Sequence, residues 1–272
     1  MNLENYFISF FKNKYIGDDG AFINGIVYSK DAFFEGVHFK KEWLSYYQIA
    51  YRAMIVNISD AIAMNAKPKY ALLSVAMPHS ITKEQLRELS RGFLDAAKRY
   101  GVEIIGGDTI SNTKLDITIT IISESKKPLK RVGLRKNHLL AYTGKIGSSA
   151  KELKKLMSLG KIHKKSKFAN IDLREKFIAK SIKYLSCGMD MSDGLYSDLD
   201  KLSKANRTGV LFFKKIPKSI GCSGEEYELL FGFDARYKKA LQRVSKLTRT
   251  PINIFAKAAR KNYKNRCKAH HF

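Results

Sequence analysis

Hydrophobic residues recur with two different periods along this chain, and the changes of period mark its elements. Residues 21–28 alternate about Asn24-Gly25, a pair that accepts the positive φ angles of a type I′ turn, so they predict a β-hairpin with Ile23 opposite Ile26. Counting outward sets Asp18 against Asp31 and Asp19 against Lys30, which gathers Asp18, Asp19, Ser29 and Asp31 at the open end. Like charges facing across a strand pair repel, so this cluster asks for a cation. Residues 115–122 alternate as a further strand. Residues 102–105 form a short strand running into a turn at Gly106-Gly107-Asp108-Thr109, where glycines let backbone approach a ligand.

The helical period appears at 45–64, a stretch rich in small and apolar residues that places Asn57 and Asp60 on one face. A carboxylate there is costly to bury unless paired or bound to metal. A second helix at 82–100 carries Leu86, Leu89, Phe93, Ala96 and Ala97 as its apolar stripe. Residues 1–11 read as a short amphipathic helix rather than a signal peptide, because they lack a basic leading region. After a polar connector at 126–137, a strand at 139–143 runs through Gly144-Lys145-Ile146-Gly147-Ser148-Ser149 into a helix. That loop is either an anion site at a helix start or a plain strand-to-helix turn, and its spacing is not that of a P-loop. A helix at 193–206 stops before Gly209, with Ser192 or Asp193 as its N-cap. These patterns divide the chain into domains at 1–130 and 131–272.

Composition narrows the picture. A chain of 272 residues, 44% of them hydrophobic, can bury a sizeable core in two modest domains. No apolar run of about 18 residues is present, so no transmembrane helix and no membrane partner are expected. Cys187, Cys222 and Cys267 lie far apart with no C-x-x-C, which suggests neither a disulfide framework nor a zinc site and suits a reducing cytoplasm. The net charge is +25. A nucleic acid or an anionic membrane would suit that charge. Yet the basic residues spread over the whole chain without an RNP, helix-turn-helix or zinc-finger pattern, so no specific nucleic-acid partner is expected. A basic surface also attracts small anions.

Against fifty Lys and Arg, the 25 acids are informative. Many fall in short motifs beside glycine and small polar residues: Gly17-Asp18-Asp19, Ser29-Lys30-Asp31, Asn57-Ile58-Ser59-Asp60, Gly106-Gly107-Asp108-Thr109 and Asp190-Met191-Ser192-Asp193-Gly194. A tighter acidic group follows at Gly224-Glu225-Glu226-Tyr227-Glu228. Mg²⁺ takes hard oxygen ligands and bridges a few carboxylates to substrate phosphates. Protein-kinase signatures, a Walker A lysine, serine or cysteine nucleophile motifs and H-E-x-x-H are all missing. Carboxylates, glycines and helix starts suit in-line phosphoryl transfer, where positioning and charge neutralisation supply most of the catalysis.

Taken in order, these segments, with Glu35-Gly36-Val37-His38-Phe39 and Tyr51-Arg52-Ala53, resemble the thiamine-monophosphate kinase family. That family belongs to the superfamily of aminoimidazole ribonucleotide synthetase and selenophosphate synthetase. The resemblance runs over roughly residues 15–232 as an ordered set of motifs. It implies two α/β (α+β) domains of the aminoimidazole ribonucleotide synthetase-like fold, the second one trimmed, and a homodimer formed by the N-terminal sheets. It implies direct transfer of the γ-phosphoryl group from ATP to thiamine monophosphate, giving thiamine diphosphate, with several Mg²⁺ ions and no covalent catalytic residue. By position, Asp19, Ser29, Lys30 through its carbonyl, Asp31, Asp60, Asp108, Asp190 and Asp193 would hold metal. Gly107, Asp108, Arg131 and Ser192 would contact ATP, with Arg131 assisting transfer. His38 and Glu225 would contact thiamine monophosphate.

Three departures stand out. The segment at 210–221 is short, Glu226 replaces the usual aspartate, and Ala269 stands where the family places an aromatic residue near the C-terminus. The competing readings are a cyclo-ligase or selenophosphate synthetase of the same superfamily, and a basic nucleic-acid-binding protein. The reactive N-terminal Cys of a selenophosphate synthetase is absent here.

Overall fold

A computed structural model describes residues 3–163, 166–260 and 262–268. In chain order the first half holds α1 (Leu3–Ile8), β1 (Ala21–Ile23), β2 (Ile26–Phe34), α2 (Tyr46–Ala63), β3 (Lys67–Pro78), α3 (Lys83–Tyr100), β4 (Glu103–Asn112) and β5 (Asp116–Glu124). The second half holds β6 (Leu139–Thr143), α4 (Ser148–Met157), α5 (Glu175–Ser181), β7 (Cys187–Asp190), α6 (Leu195–Ala205), β8 (Gly209–Phe212), α7 (Lys218–Gly221), β9 (Leu229–Phe233), α8 (Lys238–Leu247) and β10 (Ile252–Ala259). The strands make two five-stranded sheets, ordered β1-β2-β5-β3-β4 and β7-β9-β6-β10-β8. Residues 125–138 separate the sheets in sequence and form neither helix nor strand; we propose the domain division at 130/131 there.

In the first sheet only β3 and β4 pair in parallel, joined by the crossover helix α3. The hairpin turns at Asn24 (φ 48°) and Gly25 (φ 87°), with Ile23 opposite Ile26. Its ladder ends at Ala21–Tyr28. Asp18 and Asp19 therefore leave the hairpin before they can face Asp31 and Lys30, and their carboxylates turn to the second half of the chain instead.

Ser45 and Thr82 begin α2 and α3 through capping boxes with Gln48 and Gln85, each hydroxyl accepting from the backbone N–H three residues on. Helix α2 is buried almost all round. It packs on β2, β3 and β5, takes α3 along one flank, and reaches β7 and α5 of the second half. One apolar core runs through both halves, from Ile119 and Ile121 past Ile55 and Ile58 to Phe177 and Phe231.

Four further expectations are corrected. Of the expected helix at residues 1–11, the described residues are helical over Leu3–Ile8 and not beyond it. Gly106 to Thr109 is not a turn but lies within β4. Helix α6 starts after Gly194, which has no side-chain cap bond, so neither Ser192 nor Asp193 caps it. Cys222 and Cys267 form a disulfide, with Cα atoms 5.6 Å apart across 45 residues of sequence. The sequence separation hid a pair that folding brings together, because the C-terminal segment returns over α6, where Tyr263 Oη donates to the Tyr196 carbonyl at 3.0 Å. The cysteines therefore no longer argue for a reducing compartment. Cys187 is free and buried. Ala269 lies outside the described residues.

Candidate functional site

The loop before β1 brings Asp19 to the second half. Asp19 Oδ1 accepts from Arg131 Nη2 at 2.6 Å and Nε at 3.0 Å, and Oδ2 accepts from the Asp190 N–H at 3.1 Å. Asp18 Oδ1 accepts from the Arg131 N–H at 2.8 Å. From β2, the Asp31 N–H donates to Asn57 Oδ1 at 2.7 Å, while Asn57 Nδ2 donates to the Ala53 carbonyl at 2.8 Å. Buried Ser29 donates to the Asn57 carbonyl at 3.4 Å. At the end of β7, Asp190 Oδ2 accepts from Ser59 Oγ at 3.0 Å. Asp60 follows one residue later on α2. Helix α2 is thus the bracket that holds β2 and β7 in place around the acids.

Burial raises the pKa of Asp19, Asp31, Asp60 and Asp190. Asp31 is pushed to about 6 by burial and then by the charges of Asp19 and Glu225. Asp60 is raised well above the ordinary range by burial and then by Asp31, Asp190 and Asp19. Asp190 is raised by burial and then by Asp19, Asp198 and Asp31. Asp19 is raised by burial, against the pull of Arg131. Four carboxylates thus repel one another, with one guanidinium bonded among them.

Among the described residues, no three of His, Cys, Asp and Glu converge as a preformed metal cage. The donor set is nonetheless all hard oxygen, and its charges sense one another. That fits Mg²⁺, which keeps several waters and is held by one or two carboxylates together with substrate phosphates.

The loop at 223–228 closes the other side. Its backbone is left-handed at Glu225 (φ 59°) and Tyr227 (φ 49°), conformations that non-glycine residues keep only where surrounding contacts impose them. The Glu225 N–H donates to the Ser192 carbonyl at 2.7 Å, and its carbonyl accepts from Ser149 Oγ at 2.8 Å. Glu225 Oε2 pairs with Arg52 Nη2 at 2.6 Å. The Gly/Ser loop before α4 does bind an anion, but an internal one. Glu226 Oε1 accepts from the Gly147 N–H (2.7 Å), the Ser149 N–H (3.2 Å) and Ser223 Oγ (2.6 Å).

The remaining predicted residues are scattered. Ser192 lies in the same loop as Asp193, and Asp193 Oδ2 accepts from Lys201 Nζ at 2.6 Å. Lys201 also reaches buried Asp198 at 3.1 Å, whose pKa burial pushes up to about 7. The Lys30 side chain points away from the acids, donating to Thr118 and Thr120. His38 Nδ1 accepts from the Phe34 N–H at 3.0 Å, and the ring stacks on Phe33. Asp108 is exposed on the edge strand β4 and accepts from the Thr109 N–H. Gly107 (φ 151°) is required by β3: a Cβ there would meet the Leu73 carbonyl oxygen at 1.6 Å. Sequence reasoning gave no role to Arg52, Ser59, Asp198 or Lys201. Their signal was slight, a polar residue amid apolar helix for the first two and an acid three residues before a lysine for the others.

Residues 17–124 match the family of the AIR synthase related protein, N-terminal domain. The chain is 32% identical to the thiamine-monophosphate kinase of Leptospira interrogans over 81% of its own length and 79% of that protein. It is also 32% identical to that of Buchnera aphidicola subsp. Schizaphis graminum, over 85% of this chain and 83% of the relative. The chain belongs to the thiamine-monophosphate kinase family. Its fold superposes with a TM-score of 0.84 on a solved structure of AaThiL complexed with AMPPCP and TMP. That alignment covers 96% of this chain and 91% of the other at 22% identity. The expected aminoimidazole ribonucleotide synthetase-like architecture is therefore the observed one.

Proposed function

We propose that this protein transfers the γ-phosphoryl group of ATP to the phosphate of thiamine monophosphate, yielding thiamine diphosphate and ADP. The observation that carries this reading is the charge-unbalanced group of Asp19, Asp31, Asp60 and Asp190, within a chain of this kinase family. Mg²⁺ held by these carboxylates, with Ser29, Lys30, Asp108 and Asp193 as further assigned ligands, would neutralise the phosphate oxygens. Arg131 is fixed by Asp19 beside the acids and supplies positive charge for ATP. Ser192 and Gly107 complete the assigned nucleotide contacts. Glu225 and His38 contact thiamine monophosphate. The phosphate of the acceptor is itself the nucleophile, so no side chain forms a covalent intermediate.

A homodimer through the first sheet is supported by the apolar residues exposed there, Tyr28, Tyr70, Leu72 and Ile105. No described helix is long and apolar enough to cross a membrane, and dependence on ATP favours a cytoplasmic site of action. The test is product analysis with γ-labelled ATP and Mg²⁺. Label is expected in thiamine diphosphate when thiamine monophosphate is the acceptor, and in no product when free thiamine is offered; label transferred to free thiamine but not to thiamine monophosphate refutes the assignment.

A further inference from the structure

Arg52 is among the largest fully buried side chains of the described residues, and it projects from the middle of α2. Its guanidinium carbon lies 4.3 Å from the centre of the Phe168 ring and 6.0 Å from that of Tyr227. Only Nη2 is bonded, to Glu225; Nε and Nη1 are buried without a hydrogen-bond partner. A guanidinium kept solely for stability would have its five donors satisfied, because each buried donor left unpaired costs desolvation energy. Arg174 shows the satisfied case, with Nε and Nη2 on Glu228 and Nη1 on Asp172. The arginine of α2 instead directs a single bond to the residue assigned to the substrate.

Glu225 is held on three sides. Its backbone N–H and carbonyl are fixed by Ser192 and Ser149, its φ is left-handed, and its carboxylate is drawn inward by one oxygen. The side chain keeps 27% of its surface exposed, and its charge reaches Asp31. Oε1 has no part in the Arg52 bond.

We propose that Arg52 is a positioning residue for thiamine monophosphate: by engaging Oε2 of Glu225 it leaves Oε1 as the acceptor for the donor-bearing end of the substrate. The role rests on the assignment of Glu225 to thiamine monophosphate. Phe168 and Tyr227 confine the guanidinium plane and so fix the angle of the carboxylate. A lysine, a point charge on a flexible stem, would restore charge without that angle.

The experiment compares Arg52→Met, Arg52→Lys, Glu225→Gln and the double variant Arg52→Met/Glu225→Gln with the wild type, each checked for a cooperative thermal transition. The Met variant should raise KM for thiamine monophosphate at least tenfold and leave KM for ATP within twofold. The Lys variant should fall between it and the wild type. In the double variant the Arg52 substitution should add nothing to the effect of Glu225→Gln. Parallel rises of both KM values, an unchanged KM for thiamine monophosphate, or additive effects in the double variant overturn the role. Should the Met variant fail to fold, Arg52→Lys and Arg52→Lys/Glu225→Gln give the same cycle. A wild-type protein that makes no thiamine diphosphate overturns the function and this role together. One that does, with variants unaltered, overturns this role alone.

Discussion

The molecule buries two groups of acids and treats them in opposite ways. Glu226 and Glu228, with side chains 1% exposed, are both paired with cations, although Glu226 Oε2 meets Lys167 as an ion contact and has no hydrogen-bond partner. Glu228 takes Arg174 on both oxygens (2.8 Å each), Lys167 on one (3.0 Å) and Thr143 on the other (2.7 Å). Glu226 has three donors on Oε1 and Lys167 Nζ 2.9 Å from Oε2. Asp19, Asp31, Asp60 and Asp190, by contrast, have Arg131 as the one cation bonded to any of them among the described residues. Burial of charge is therefore not the mark of the candidate site; imbalance is. A buried acid with matched donors holds the fold, and one without them keeps a place for charge that arrives later.

Breaking the balanced group should produce the largest effect. Arg174→Met leaves Glu228 buried with Lys167 as its one cation, so about 3–5 kcal/mol of stability should be lost. Urea denaturation measures it, and Mg²⁺ should not restore it. A loss within about 0.5 kcal/mol would erase the distinction between the two groups. The disulfide belongs to the same region, since Cys222 precedes Ser223, a donor to Glu226. It closes 45 residues, and loop entropy predicts that Cys267→Ser costs about 2–4 kcal/mol. Equal melting of wild type and variant in the absence of reductant would mean that the bond is not formed in solution, and thiol titration reads that directly.

How far the sequence revealed this contrast differs by group. The unbalanced acids were legible because each sits beside glycine or small polar residues in a basic chain. The hairpin turn was legible from Asn24-Gly25, since the turn is local chemistry. What the sequence did not reveal is non-local. Whether Asp19 faces Lys30 or Arg131 depends on where a ladder stops. Glu226 and Glu228 looked like more of the same acidic site, because Lys167 and Arg174 lie about sixty residues away and only folding pairs them. The glycines at 106–107 signalled close approach, and at Gly107 one such approach is that of the neighbouring strand β3. Strand β3 was not foreseen, because Lys67-Pro68-Lys69 masks its start.

Removing one charge from the unbalanced group should act in the opposite sense. Asp60 is desolvated and repelled by Asp31, Asp190 and Asp19, so its folded-state pKa is raised. Asp60→Asn should therefore stabilise the metal-free protein by about 1–3 kcal/mol near neutral pH while nearly abolishing phosphoryl transfer. With excess Mg²⁺-nucleotide the order should reverse, because ligand bound to the native state stabilises the wild type through linkage. Melting both proteins in EDTA and in Mg²⁺-nucleotide tests it. A variant that melts lower in EDTA would show Asp60 to be a satisfied structural residue.

Acidity offers the gentlest separation of the two groups. Asp31 has its pKa raised by burial from 3.8 to about 6, so between these values the folded protein holds a proton that the unfolded chain has released. The unfolded state then binds fewer protons, and stability falls as pH rises. The loss begins near the unfolded value and the penalty keeps growing through the folded one. Asp60 and Asp190, raised further, extend the same slope upward. In EDTA the protein should be more stable at pH 5 than at pH 7.5 by about 1–2 kcal/mol, allowing for solvent screening of a partly exposed group. Asp31→Asn should flatten the lower part of that slope, and saturating Mg²⁺-nucleotide should suppress it. Carboxylates held in ion pairs predict the opposite trend, with stability lost toward acid. Chemical denaturation at the two pH values decides between them: greater stability at pH 7.5 in EDTA would mean that the four acids are already balanced, and that the molecule has one kind of acid cluster rather than two.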